Sequence, residues 1–187
     1  MHENIAFFDF DGTITRSDTM LKLAAYHKGL AGYYSGMLQI SPTLIAMKLH
    51  LISNAKGKEK FLTHFFSGIS EATFTTLCSN FIKDVLPLQI RPDAMGAIEQ
   101  HKANNDKVVV VSASAENWVA PWCIANGLSY ICSQLEIIDG IVTGKLKGNN
   151  CNGPEKATRI LQSFNLSQYK IISCYGDTKG DSEMLQL

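Results

Sequence analysis

Short apolar runs alternate with amphipathic segments along most of this 187-residue chain. Four runs have the length of a strand and read as continuous apolar stretches, as strands of a parallel sheet covered on both faces do: 5–10, 107–112, 130–134 and 170–175. Helical spacing and helix-start signals predict three helices between these runs, over residues 91–104, 116–126 and 153–164. This alternation predicts an α/β fold with a doubly wound parallel sheet.

Residues 18–85 break the alternation. Apolar positions recur there at three- and four-residue spacing, and no run predicts a strand. Gly29, Pro42, residues 54–57 and Gly68 divide the segment into three or four helices. We therefore predict a core domain formed by 1–17 and 86–187, with a small helical domain, 18–85, inserted after the first strand.

Two local signals refine the core. Residues 136–143 are rich in β-branched side chains around Asp139-Gly140, a pair that suits a two-residue hairpin turn. Pro121 lies inside the helix predicted over 116–126, so we expect it in the first turn or at a kink. A further helix is expected just beyond Asp181.

Composition excludes several classes of protein. The chain has 17 basic and 17 acidic side chains, so no overall positive charge favours nucleic acid as a partner. Its five cysteines are odd in number and include no CxxC pair, which favours reduced, buried thiols in a cytoplasmic protein. The first apolar run contains aspartates and has no basic leader, so no signal peptide is predicted.

The most apolar long segment is 30–52. Two glycines, Pro42, Lys48 and His50 interrupt it, which makes it a poor membrane span. Two alternatives stay open: the segment lies on a membrane surface, at its inner face, or it lines an apolar pocket. The oligomeric state is not predicted.

Polar groups stand at the ends of three predicted strands, where open α/β sheets bind their ligands. The first strand ends in Asp9 and Asp11, Ser112 ends the second, and Asp177 follows the last. Lys156, near the start of a helix, brings a cation to the same crevice, although Lys145 or Lys147 are alternatives for that position.

Asp9 and Asp11 are two residues apart, and two carboxylates on one face of a strand repel each other. Mg²⁺ relieves this repulsion, because hard cations prefer carboxylate oxygens and retain water beside a substrate phosphate. Two roles follow: one carboxylate as the nucleophile and the other as a general acid and then base. Gly12 permits a tight phosphate-binding turn, and Thr13 adds a hydroxyl and an amide.

Four motifs resemble, in order and spacing, those of the haloacid dehalogenase-like phosphohydrolases: Asp9-Phe-Asp11-Gly-Thr-Ile-Thr15, Val111-Ser112-Ala-Ser114, Glu155-Lys156 and Gly176-Asp177-Thr-Lys-Gly-Asp181. The resemblance implies a Mg²⁺-dependent phosphatase that forms an aspartyl-phosphate on Asp9, with Asp11 as acid and base. It implies that Ser112 bonds the phosphoryl group and Lys156 offsets charge. It further implies that Asp177 holds Mg²⁺ with Asp9 and the Asp11 backbone carbonyl, and that Asp181 is an outer-shell carboxylate or a direct ligand.

The helical insertion resembles the cap of the phosphoserine phosphatase branch. Asp18 falls where those enzymes carry a substrate-contacting glutamate, although it is also a good helix N-cap. Gly12, Thr13, Asp18 and Ala113 are therefore the candidate substrate-binding residues.

Two departures from that branch widen the range of substrates. No arginine occurs between Arg16 and Arg91 to clamp a substrate carboxylate, and Ser112-Ala-Ser114 replaces the usual glycine pair. An apolar cap suits a lipid-like phosphomonoester, so we keep this class beside phosphoserine and other small organic phosphates. A phosphotransferase and a non-catalytic phosphate-binding protein on the same fold are the remaining alternatives.

Overall fold

A parallel sheet forms the centre of the protein, for which a computed structural model describes residues 3–187. Its strands run in the spatial order β3-β2-β1-β6, and every pairing is parallel. Their bounds are β1 Asn4–Phe8, β2 Lys107–Ala115, β3 Ser129–Ser133 and β6 Ile171–Tyr175. All four predicted strands are present, and β2 extends three residues beyond its predicted end.

Helices cover both faces of the sheet. They are α5, Pro92–Ala103, α6, Glu116–Ala125, and α7, Pro154–Ser163. Phe8 and Trp118 belong to the larger apolar cluster on one face, whereas Phe7 and Ile160 belong to the cluster on the other. Alternate residues of β1 thus enter different cores, as expected for a strand buried on both sides. The predicted doubly wound α/β fold is confirmed.

The segment between β1 and β2 is helical, as its periodicity predicts. It contains α1 Thr19–Lys48, α2 Asn54–Phe66, α3 Glu71–Asp84 and a short α4 Leu86–Gln89. Buried aromatic side chains hold these helices together, among them Phe61, Phe65, Phe66, Phe74 and Phe81.

The expectation that Pro42 ends a helix is wrong, because α1 continues through it to Lys48. Proline cannot donate to the carbonyl four residues earlier, which here belongs to Leu38. The Ser41 hydroxyl donates to that carbonyl instead, at 2.8 Å. Gly29, by contrast, does interrupt α1, with a positive φ of 67°. Residues 54–57, another expected break, form the first turn of α2 after the Ser53 cap.

The predicted hairpin is present. β4, Leu135–Ile138, pairs antiparallel with β5, Ile141–Leu146, around Asp139 and Gly140, both with positive φ. The hairpin packs against the helical insertion: the Val142 amide donates to the Ile69 carbonyl at 2.9 Å. A Cβ on Gly144 would overlap the backbone of Thr63, so only glycine permits this close approach.

Two local predictions differ from the structure: the position of Pro121 and the helix after Asp181. Pro121 lies in the second turn of α6 instead of its first. Beyond Thr178 the chain forms 3₁₀ turns, Lys179–Asp181 and Met184–Gln186, where a helix is expected.

All five cysteines are free thiols, and four of them are buried. Among residues 3–187, no helix is both long and apolar enough to cross a membrane.

Candidate active site

The loop after β1 carries the two aspartates into the crevice. The Asp9 amide donates to the Tyr175 carbonyl at 2.8 Å, which extends the pairing of β1 with β6 by one residue. Gly12 then turns the chain with a φ of 90°, and a Cβ there would collide with the Asp177 carboxylate. The Thr13 hydroxyl donates to Asp177 Oδ1 at 3.0 Å. The ends of β1 and β6 are thus held together by the loop itself.

Asp9 is buried and bonded to a buried lysine. Lys156 Nζ donates to Asp9 Oδ1, and at 2.6 Å to Asp181 Oδ1. Burial raises the pKa of Asp9 to about 7; Lys156 lowers it only in part, and the charges of Asp181 and Asp11 raise it further. Burial works against the charge of Lys156, but the two carboxylates outweigh it and keep its pKa above the ordinary value. Of the three lysines considered for this position, Lys156 is the one that contacts Asp9 within residues 3–187.

Both carboxylate oxygens of Asp11 are held from outside the loop. Oδ1 accepts from the Thr19 amide at 2.7 Å, and Oδ2 accepts from the Ser114 hydroxyl at 2.5 Å. Thr19 is the first residue of α1, and its own hydroxyl accepts from the buried indole of Trp118 at 2.9 Å. The start of the helical insertion is therefore attached directly to Asp11.

Three carboxylates are close enough to share one cation. One oxygen each of Asp9, Asp177 and Asp181 lies within 4.8 Å of the others. Asp181 Oδ2 already accepts from the amide and the hydroxyl of Thr178, at 2.9 and 2.8 Å. Burial alone would raise the pKa of Asp181, but Lys156 and Thr178 hold it below its usual range. Asp177 is exposed, and within residues 3–187 its side chain accepts only from Thr13, which leaves it and Asp9 better suited as direct ligands than Asp181.

A cavity of about 450 Å³ contains most of these groups. The predicted site residues that line it are Asp9, Asp11, Gly12, Asp18, Ala113, Lys156, Asp177 and Asp181. Five aspartates against Arg16, Lys58 and Lys156 give the lining a formal charge of −2. A cavity with this excess of carboxylates suits a divalent cation.

Two predicted residues, Ser112 and Thr13, do not line the cavity. The Ser112 hydroxyl is buried and accepts from the Ser114 amide at 3.0 Å. It is Ser114, two residues on, that lines the cavity and bonds Asp11. Asp18 caps α1, as one of its two predicted roles requires, by accepting from the Leu21 amide at 3.2 Å, and it also lines the cavity.

Three cations at the site were not predicted: Arg16, which lines the cavity, Lys58 and Arg91. Lys58 of α2 reaches from the insertion into the cavity, where Nζ donates to the Ala113 carbonyl at 2.5 Å. Its signal was available: Lys58 shares a helix face with Phe61, Leu62 and Phe65, where an apolar residue is expected. Arg91 donates to the Gly12 carbonyl at 3.2 Å, and so braces the loop from the segment that follows the insertion.

The apolar segment 30–52 contributes no side chain to this cavity. Met20 and Ala113 are the apolar residues among its described lining. The expectation that an apolar cap provides a pocket for an apolar alcohol is therefore not supported here.

Comparison with known protein families shows the class of protein to which this chain belongs. The family model of haloacid dehalogenase-like hydrolases matches residues 6–186. The chain belongs to this family and is therefore an enzyme of the hydrolase class, as its four motifs predict.

Individual relatives extend the comparison. Protein CicA of Caulobacter vibrioides is 32% identical over 96% of this chain and 81% of its own length. A probable phosphatase of Mycobacterium tuberculosis is 28% identical over 97% of this chain and 65% of its own. A Bordetella pertussis protein of unknown function has the same fold, with a TM-score of 0.87 at 20% identity over 100% of this chain and 87% of its own. A phosphoserine phosphatase also shares the fold, with a TM-score of 0.69 at 17% identity over 98% and 82%.

Proposed function

We propose that this enzyme is a Mg²⁺-dependent phosphomonoester phosphatase that forms an aspartyl-phosphate on Asp9. One observation carries the proposal: a buried carboxylate bonded to Lys156 lies two residues from a second carboxylate that Thr19 and Ser114 hold in place. Phosphatases among the relatives and the structural neighbours support the same reaction class.

Asp9 attacks the phosphorus atom, and the bond to the ester oxygen breaks. Asp11 gives a proton to the departing alcohol, then takes one from the water that attacks the aspartyl-phosphate and releases inorganic phosphate. Asp9 reacts as the carboxylate, so its pKa of about 7 places half-maximal ionisation of the metal-free enzyme near neutrality. Lys156 stabilises that carboxylate and the negative oxygens of the transferring group.

Asp9, Asp177 and the Asp11 backbone carbonyl would hold Mg²⁺, with Asp181 outside them. Bound there, the cation supplies positive charge to the phosphoryl oxygens and offsets the −2 charge of the cavity lining. The contacts of Asp181 with Lys156 and Thr178 support its outer position.

The polar lining of the cavity favours phosphomonoesters whose alcohol group is small and polar. A small organic phosphate meets Arg16, Ser17, Asp18 and Lys58 around its leaving group, whereas an acyl chain meets Met20 and little other apolar surface. We therefore place small organic phosphates, phosphoserine among them, before lipid-like phosphomonoesters.

Phosphate release from a panel of esters tests the proposal. The panel contains phosphoserine, small sugar phosphates, phosphatidylglycerophosphate and p-nitrophenyl phosphate, each with Mg²⁺ or with EDTA, for wild type and Asp9→Asn. Release that needs both Mg²⁺ and Asp9, without an added acceptor, supports the proposal. Release only when an acceptor is present would make the enzyme a phosphotransferase, and no release from a folded protein would favour a phosphate-binding role.

A further inference from the structure

The outward face of α1 and the segment just after its end carry large apolar side chains that nothing in the described chain covers. Six of them, each between 59% and 76% exposed, define what we call the cap face: Leu30, Tyr34, Leu38, Ile45, Leu49 and Leu51. Isolated exposed leucines are ordinary, but a contiguous group on one element marks a contact surface.

The spacing shows that the cap face is continuous. At 3.6 residues per turn, Leu30, Tyr34, Leu38 and Ile45 fall within an arc of about 80° on the helix. The opposite side of the same helix packs inward, with Ile40 buried and Gly36 lying against Phe65. The part of α1 after Gly29 is thus apolar on its outer side as well as on its inner side.

Charge indicates what covers this face. Residues 19–57 contain four lysines and no aspartate or glutamate, although the whole chain has 17 acidic residues. Lys28 and Lys48 are exposed at the two ends of the cap face, and neither forms an ion pair within residues 3–187. The surface therefore combines an apolar stripe with unneutralised positive charge.

A second copy of the chain does not supply the missing negative charge. A two-fold contact joins the same patch on both subunits, so it would bring Lys28 and Lys48 of the two copies toward each other, while residues 19–57 of neither copy offer a carboxylate. An anionic lipid surface matches both features of the cap face, because its acyl boundary accepts apolar side chains and its headgroups attract lysines.

We propose that the cap face docks on an anionic phospholipid surface, with α1 lying in the plane of the interface. The apolar side chains enter the headgroup and acyl boundary, and Lys28 and Lys48 contact the anionic headgroups. This inference is independent of the proposed function, because none of the six residues lines the catalytic cavity.

Vesicle sedimentation tests the inference. Wild type, Leu38→Glu/Ile45→Glu and a control, Ile124→Glu/Leu161→Glu, are mixed with vesicles of phosphatidylglycerol and phosphatidylcholine, or of phosphatidylcholine alone. The control adds the same charge at side chains that are 66% and 57% exposed on α6 and α7. We expect wild type and control to bind the anionic vesicles and the cap-face variant to bind at least tenfold more weakly. Lys28→Gln/Lys48→Gln should lower binding to the anionic vesicles alone.

Turnover of p-nitrophenyl phosphate separates the two proposals, since all these variants should keep it unchanged. Loss of vesicle binding and loss of turnover are therefore distinguishable failures. Wild type that ignores anionic vesicles, or equal binding by the cap-face variant, would overturn the inference. A stable wild-type dimer in light scattering that the cap-face variant dissolves would overturn it too, in favour of a second copy as the occupant.

Discussion

Lys156 Nζ donates a hydrogen bond to the Asp9 carboxylate although 147 residues separate them in the chain. Both groups are almost fully buried, because Asp9 is 6% exposed and Lys156 is 1% exposed. The pair brings the start of α7 to the end of β1, and it places the only positive charge in direct contact with the proposed nucleophile among the described residues.

Replacing Lys156 by methionine should lower kcat/KM by about a hundredfold or more, because a preorganised charge at the reacting oxygens is lost. It should also move the acidic limb of the pH–rate profile upward, since Lys156 lowers the pKa of Asp9. Steady-state kinetics across pH measure both effects. Lys145→Met, at an exposed site on β5, is the matched control and should behave as wild type.

Asp9→Asn should stabilise the metal-free protein at high pH. The pKa of Asp9 rises from 3.8 to about 7 on folding, so its ionisation opposes folding. The penalty is absent below pH 4, grows between pH 4 and 7, and is complete above pH 7. We expect a gain of about 4 kcal/mol at pH 8 that shrinks toward zero at pH 4, measured by urea unfolding in EDTA. A gain that is independent of pH would contradict the assignment.

The two serines of the second motif should differ in effect. Ser114→Ala removes a hydrogen bond from Asp11, so we expect kcat to fall about tenfold with little change in KM. Ser112→Ala removes an acceptor for the Ser114 amide, and should raise KM only if Ser112 contacts the phosphoryl group as the family resemblance implies. Kinetics of both variants with p-nitrophenyl phosphate decide between these roles.

Lys58→Ala should raise KM about tenfold, because the cavity loses the one cation that the helical insertion contributes to it. Lys56→Ala, two residues earlier on the same helix and exposed, should leave KM unchanged. Equal effects of the two substitutions would place Lys58 outside the substrate site.

Removal of an aspartate at the proposed metal site should weaken Mg²⁺ binding in a graded way. Asp177→Asn should raise the Kd at least tenfold, whereas Asp181→Asn should have a smaller effect because Lys156 and Thr178 already occupy its oxygens. Calorimetric titration measures both. Asp93→Asn, an exposed acid paired with Arg91, is the control.

The sheet could be predicted because each of its strands is a continuous apolar run, which burial on both faces requires. Asp9, Asp11, Lys156 and Asp177 could be predicted because they follow those strands or begin a helix beside them. The helical spacing puts Lys58 on the apolar face of α2, but its entry into the cavity could not be predicted, since that depends on how α2 packs against β5 and α1. The contact of Ser114 with Asp11 depends on the register shift of β2 between Ser112 and Ala115, and no sequence pattern reports such a shift.

Covalent trapping tests the central claim most directly. Wild type is mixed with excess p-nitrophenyl phosphate and Mg²⁺, quenched in acid within the first turnover, and digested at low pH for mass spectrometry. The account predicts a phosphoryl group on the peptide that contains Asp9, located on Asp9 by fragmentation and absent from Asp9→Asn and from samples with EDTA. Rapid phosphate release with no phosphoryl group on Asp9 at any quench time, or with the group on another residue, would contradict it.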